Sequence, residues 1–343
     1  MAGLAQHITS FLPAFLRRAA QHDGDAHTTR RNGLRSHGGN AAGVPPSSGA
    51  AAAAALAARM PDLLLRARQT AATLAAGLHP QRRAGWGDNF WQYRPAQPGE
   101  PASRIDWRQS ARTHHAQVRE KEAETAQTVI LWCDMSHSMD WCSAAALPSK
   151  RDSAITLLLT MAALLLRAGE TVQLAGPAGL FPLPVGGPPL ERLAMGLVAQ
   201  VREEQAAAQD ISGPFLRTPL HLPRHAHLLM ASDFLAPQED IQAFMRHLAA
   251  LPVHAHLIQV RDPAEACLPY AGRVLFTGLE GEAPVELSET SDIRPAYADL
   301  VSTREVWLSE IATRYGHDLT RHQTDQTALP ALLSLHTLMS QSA

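Results

Sequence analysis

A mixed α/β protein built on a mostly parallel central sheet is predicted, on three observations. Runs such as 128–133 (TVILWC) and 226–231 (AHLLMA) are apolar throughout, the mark of strands covered on both faces. Segments of helical length separate them, as in sheets layered between helices. Polar loops rich in Asp and Ser follow two of these runs, at the strand ends where such sheets carry ligands.

Taken in order, residues 4–20 suit a short amphipathic helix. Residues 21–49 are rich in Gly, Ser, Asn, Arg and His with no hydrophobic period, and read as a flexible linker. An alanine tract at 50–58 opens a helical stretch. Pro61 lacks a backbone donor, so a break is expected there, followed by a second helix over 62–76 that Gly77 closes. Leu63, Leu64, Leu65, Leu74 and Leu78 give that helix a face for the body of the protein. Residues 80–119 are dense in Gly, Trp, Arg, Asp and Pro. Ordering by side-chain hydrogen bonds and cation–π contacts is expected there rather than a strand ladder.

From Thr128 onward the pattern alternates. Strand 128–133, helix 149–168, strand 171–176, a hairpin partner at 180–185 and helix 189–205 come first. Strand 226–232, helix 238–250, strands 253–260 and 273–277, helix 293–315, strand 317–321 and helix 327–340 follow. The chain divides into an extension (1–79), a segment packed on the core (80–125) and the α/β domain (126–343).

With 343 residues, 45% hydrophobic and 18% charged, the chain can bury a sizeable core. Its formal net charge of −2, with no polybasic stripe, predicts no nucleic-acid partner. No charge-free apolar run reaches about 18 residues, so no membrane span is predicted. The first residues have neither the basic lead nor the apolar stretch of a signal peptide, which makes the cytoplasm the expected location. Cys133, Cys142 and Cys267 are too few for a disulfide framework. The 17 histidines show no H-E-x-x-H set; His114-His115 and His225-x-His227 are pairs without a nearby third ligand, and read as surface or strand histidines.

Asp134-Met135-Ser136-His137-Ser138 leaves the first apolar strand with one carboxylate and two hydroxyls at alternate positions. Three such oxygens suit a hard cation such as Mg2+. The same residues also suit an N-cap and Asx-type turn. Ser232-Asp233-Phe234 leaves the strand at 226–231 and places a second carboxylate at the same sheet edge. A serine hydrolase is a distant alternative, since Ser136, His137 and Ser138 are neighbours on one loop and no G-x-S-x-G elbow is present. An aspartyl phosphotransferase needs a second acid where Ser136 stands. Arg104, Asp106 and Arg112 read as a clip on irregular backbone or as a partner-binding surface.

Two motifs carry a family resemblance. Gly99-Glu100-x-x-x-Arg104-Ile105-Asp106-Trp107-x-x-Ser110-Ala111-Arg112, with the lead-in Gly85-x-Gly87-Asp88-x-Phe90-x-x-Tyr93-Arg94, resembles the signature of the "domain of unknown function 58" family. The Asp134-x-Ser136-x-Ser138-Met139 loop follows at the family's distance, and the resemblance runs from Gly85 to the C-terminus. That family is similar to von Willebrand factor type A domains. The resemblance implies such a fold over 126–343 and a metal-ion-dependent adhesion site for Mg2+ or Mn2+, with Asp134, Ser136, Ser138 and Asp233 as ligands. Thr218, with Ser212 as second choice, is the candidate for the remaining ligand. It further implies a non-catalytic interaction module that meets an acidic group of a partner protein and works with a MoxR-type AAA+ ATPase. A degenerate, metal-independent binding domain is the alternative.

Overall fold

The structure is a computed structural model that describes residues 18–21, 49–77, 84–113, 115–122, 127–176, 179–207, 222–278, 285–287 and 289–342. Strand β1 (Arg18–Gln21) and helix α1 (Gly49–Gly77) come first, then β2 (Ala84–Pro95), the short α2 (Trp107–Ser110) and β3 (Gln117–Glu122). After these run β4 (Thr128–Cys133), α3 (Lys150–Arg167), β5 (Thr171–Gly176), β6 (Gly179–Leu180) and α4 (Pro189–Ala207). The chain continues through β7 (His227–Ser232), α5 (Gln238–Ala249), β8 (His254–Arg261), α6 (Pro263–Cys267), β9 (Val274–Gly278) and β10 (Val285–Leu287). Helix α7 (Arg294–Arg314), β11 (Asp318–Gln323) and α8 (Leu329–Ser342) complete it.

The central sheet has the order β11-β8-β7-β4-β5-β6, parallel except for the short antiparallel β6. Alternation along each strand divides the core. Val129, Leu131, Cys133, Leu229, Ala231, Ile258 and Val260 face α1, α3, α4 and α8. Ile130, Leu228, Met230, Ala255 and Leu257 face the other way, onto Ile241, Phe244, Met245 and Leu248 of α5 and Leu308 and Ile311 of α7. β7 is buried along its whole length, as its continuous apolar run predicts. Helix α3 lies within the first layer; Ser149 caps it by accepting from the Asp152 amide.

Four expectations are corrected. Helix α1 runs through Pro61 unbroken. Proline forfeits only its own amide, Pro61 lies on the exposed side, and Leu56, Met60, Leu63 and Ala67 on the buried side fix the helix against its neighbours. Residues 84–122 do form a ladder: β2 and β3 pair antiparallel with register shifts after Gly85 and Phe90, bulges that disguise the strand period in the sequence. The strand read at 273–277 within the alternating run, β9, lies outside the central sheet and pairs with β1 and β10. Arg18–Ala20, expected to end a helix over 4–20, and Gln21, expected to open the linker, form a strand on β9; the rest of that helix and most of the linker at 21–49 lie outside the described residues.

The Arg-Ile-Asp-Trp segment closes the β2–β3 hairpin. Asp106 caps α2 by accepting from the Gln109 amide at 3.0 Å, and Tyr93 Oη donates to its other oxygen at 3.0 Å. Arg94 makes a two-pronged pair with Glu100, whose carboxylate also accepts from the Gln97 amide. Asp106 thus ties β2 to the start of α2. Arg112 is exposed, and the Arg104 side chain lies outside the described residues.

Candidate metal centre

Strands β4, β7 and β8 lie side by side and parallel, so the loops after Cys133, Ser232 and Arg261 leave the same edge. Cys133 pairs with Ala231, which sets Asp134 beside Ser232 and the Asp134 amide on the Ala231 carbonyl at 2.9 Å. Asp134 accepts from the Ser136 amide through Oδ1 (2.9 Å) and from Ser232 Oγ through Oδ2 (2.6 Å). The Asx-type turn is therefore real, and it orients the carboxylate.

The two predicted loops meet. Ser138 Oγ donates to Asp233 Oδ2 at 2.8 Å across 95 residues of chain, and Ser136 Oγ lies 3.0 Å from Ser138 Oγ. Since the Ser138 proton is committed to Asp233, Ser136 is the donor of that pair. Asp134, Ser138, Ser232 and Asp233 are all buried and Ser136 is partly so. Thr218 and Ser212 lie outside the described residues.

Three charged residues that sequence reasoning missed complete the edge. Lys150 Nζ, 1% exposed, donates to Asp233 Oδ2 at 2.9 Å and to Glu265 Oε1 at 2.5 Å. Arg151 donates to the Met135 and Ser136 carbonyls at 2.7 and 3.0 Å and pairs with Asp140, which fixes the backbone of the first loop. Glu265 belongs to a capping box in which Asp262 accepts from the Ala264 amide and the Asp262 amide donates to Glu265 Oε2. A signal existed: Lys150-Arg151 begins an apolar helix at its positive end, where cations are disfavoured unless acids meet them.

Phe234 takes a left-handed conformation (φ 52°), uncommon for a bulky residue. Its amide donates to Ser232 Oγ at 3.0 Å and its carbonyl accepts from Arg304 at 2.6 Å. That bend turns the Asp233 carboxylate toward Ser138, while its Oδ1 accepts from the Leu235 amide.

The electrostatics follow from burial. Burial and then the Asp233 charge raise the Asp134 carboxyl above its ordinary value, although the Ser232 and Ser136 hydrogen bonds oppose them. Burial also pushes Asp233 up, but the Lys150 charge and hydrogen bond, with Ser138, outweigh it and hold this acid below the ordinary value. Burial raises Glu265 to about 7 despite Lys150. Burial opposes the Lys150 charge, and Asp233 and Glu265 more than restore it. Three carboxylates (Asp134, Asp233, Glu265) against one ammonium (Lys150) would leave two negative charges when all are ionised. Protons on Asp134 and Glu265, or a divalent cation, can balance them. The donors at Asp134, Ser136, Ser138 and Asp233 are all oxygen, which fits a hard cation.

Fold and site together define an α/β protein with a buried cluster of oxygen donors and acids at the carboxyl edge of a parallel sheet. The chain belongs to the family described as "Protein of unknown function DUF58", whose model matches residues 92–306. It is 26% identical over 279 residues to an uncharacterized protein of Mycobacterium bovis, a match covering 79% of this chain and 86% of that protein. Uncharacterized proteins of two Mycobacterium tuberculosis strains match with the same figures. No solved structure matches the chain. None of the described helices is long and apolar enough to cross a membrane.

Proposed function

We propose that the chain is a non-catalytic interaction module of the von Willebrand factor A type, which meets an acidic group of a partner protein through a divalent cation. Asp134, Ser136, Ser138 and Asp233 would hold Mg2+ or Mn2+, and Thr218 is the candidate to complete the set. When bound, the ion supplies a Lewis-acidic position open to a carboxylate oxygen. The observation that carries the reading is the Ser136–Ser138–Asp233 chain of polar contacts, which brings two remote loops to one point. The unmatched carboxylate charge supports it further. A MoxR-type AAA+ ATPase is the partner proposed, from family resemblance.

Hydrolysis is less well supported. Ser138 gives its proton to Asp233, and the His137 ring is oriented toward Asp140, at 3.8 Å. The acceptor of the Ser138 proton, Asp233, is held below its ordinary value by the Lys150 charge, which makes it a weak base.

One observation favours a second reading, a metal-independent binding domain. The Lys150 ammonium already sits on Asp233 Oδ2, the oxygen that Ser138 also uses, and so acts as a built-in cation. Calorimetric titration with Mg2+ and Mn2+ separates the two. Saturable Mg2+ heat in the parent and none in Asp134→Ala is expected, and equal Mg2+ heats would leave the built-in cation as the better account. Binding of a purified MoxR-type ATPase should then weaken in chelator; binding indifferent to chelator argues for the metal-independent domain.

A further inference from the structure

The opposite edge of the sheet holds a second cluster. His227 begins β7, His254 and His256 begin β8, and His317-Asp318 leads into β11. In the parallel register His227 pairs with His254 and His256 with Asp318, so these four side chains share one face across three strands. His254 Nε2 lies 2.8 Å and His256 Nδ1 3.0 Å from the same oxygen, Asp318 Oδ2. One ligand atom from each residue falls within 4.8 Å of the others.

Two features exceed what a strand-end His–Asp pair requires. His256, fully buried, presents its Nδ1 at 3.0 Å to the same Asp318 oxygen that already meets His254, off the direction of a well-formed hydrogen bond. Its other nitrogen, Nε2, lies 3.1 Å from His227 Nδ1, with the two rings stacked at 5.4 Å. A metal-ligating histidine has this arrangement: one nitrogen is fixed by a second polar group, and the other presents a lone pair beside further ligands. Burial, then the neighbouring His254, keeps His227 and His256 below the ordinary histidine range, His256 at about 3, so each is the neutral imidazole that metals bind.

We propose that His254, His256 and Asp318 form a binding site for a transition-metal ion of the Zn2+ class, with His227 as the residue that orients His256. Two imidazoles and one carboxylate are a common zinc ligand set, with a fourth position left for water or a substrate atom. Metal–ligand bonds of about 2.0–2.2 Å would place neighbouring ligand atoms roughly 3.4 Å apart, so the two contacts to Asp318 need to lengthen by only about half an ångström. An entry route exists. His254 is 32% and Asp318 28% exposed, and a shallow cavity of about 290 Å³ lined by His225, His227, Pro252 and His254 opens beside them. Imidazole donors separate this site from the oxygen-lined edge, which selects a harder ion.

The test is titration of the untagged, chelator-treated full chain with Co2+ alone, read as visible ligand-field absorption, followed by competition with Zn2+. The expected result is one equivalent giving intense tetrahedral bands, which Zn2+ abolishes and excess Mg2+ leaves in place. His254→Gln and Asp318→Asn, both at partly exposed positions, should lose the bands or weaken binding at least about a hundredfold. His227→Phe should weaken binding by about 10–100-fold with the band shape kept, as for a positioning residue. Asp134→Ala should bind Co2+ like the parent. Featureless octahedral absorption, or bands equally strong in His254→Gln and Asp318→Asn, would overturn the proposal. So would bands that disappear with Asp134→Ala while surviving Asp318→Asn.

Discussion

Where β4, β7 and β8 end, the sheet carries hydroxyls and carboxylates around one ammonium; where β7, β8 and β11 begin, it carries imidazoles around one carboxylate. Burial drives both edges toward neutrality, with opposite results. At the histidine edge the neutral side chain is already the ligand, so burial prepares the group for a metal. At the carboxyl edge the neutral acid is a poor ligand, so burial sets protons against any ion. One sheet thus carries imidazole donors at one end and oxygen donors at the other, sets that suit different classes of cation.

The sharpest way to break this contrast is to remove the acid that joins the carboxyl edge. Asp233→Ala strands the buried Lys150 and should cost about 3–5 kcal/mol in chelator, measured by urea unfolding. A loss under about 1 kcal/mol would mean that Lys150 is solvated and that the edge is not a closed cluster. Lys150→Met should cost about 3 kcal/mol in chelator, since Asp233 and Glu265 lose their shared cation. Millimolar Mg2+ should restore part of that loss, by linkage, if the ion and the lysine balance the same charge. Stability unmoved by Mg2+ would favour the metal-independent reading.

Glu265 sharpens the comparison through pH. Its folded value is about 7 against an ordinary 4.5, so between those values the folded chain keeps a proton that the unfolded chain has lost. The contribution of this group is therefore most favourable at low pH and is lost as pH rises through 4.5 to 7. Glu265→Gln lacks that dependence. In chelator the parent should lose on the order of 3 kcal/mol relative to the variant across the window, read from paired unfolding curves. Parallel stability–pH curves would show that Glu265 titrates as an ordinary acid. The smallest expected change in stability, under about 1 kcal/mol, belongs to His254→Gln at its partly exposed site.

Much of the architecture was legible because burial on both faces leaves an unmistakable run: β4 and β7 read directly from TVILWC and HLLMAS. Asp134, Ser136, Ser138 and Asp233 were legible as a group, since parallel strands deliver their exits to one edge. Lys150 and Glu265 were not, because their meeting depends on contacts across 83 and 115 residues that no local spacing encodes. His254-x-His256 was not singled out among the histidine pairs, and Asp318 joins it only through the β8–β11 register. Pro61 misled for another reason: local propensity argued for a break, and packing on α3 and α4 prevailed.

Helix α1 has a bearing on where this protein can be cut. The family match starts at residue 92, yet Leu56, Met60, Leu63 and Leu74, which roof α3 and α4, all precede it. Burying each such side chain is worth about 1.5–3 kcal/mol, so a chain trimmed to the matched segment would expose a greasy floor and clump.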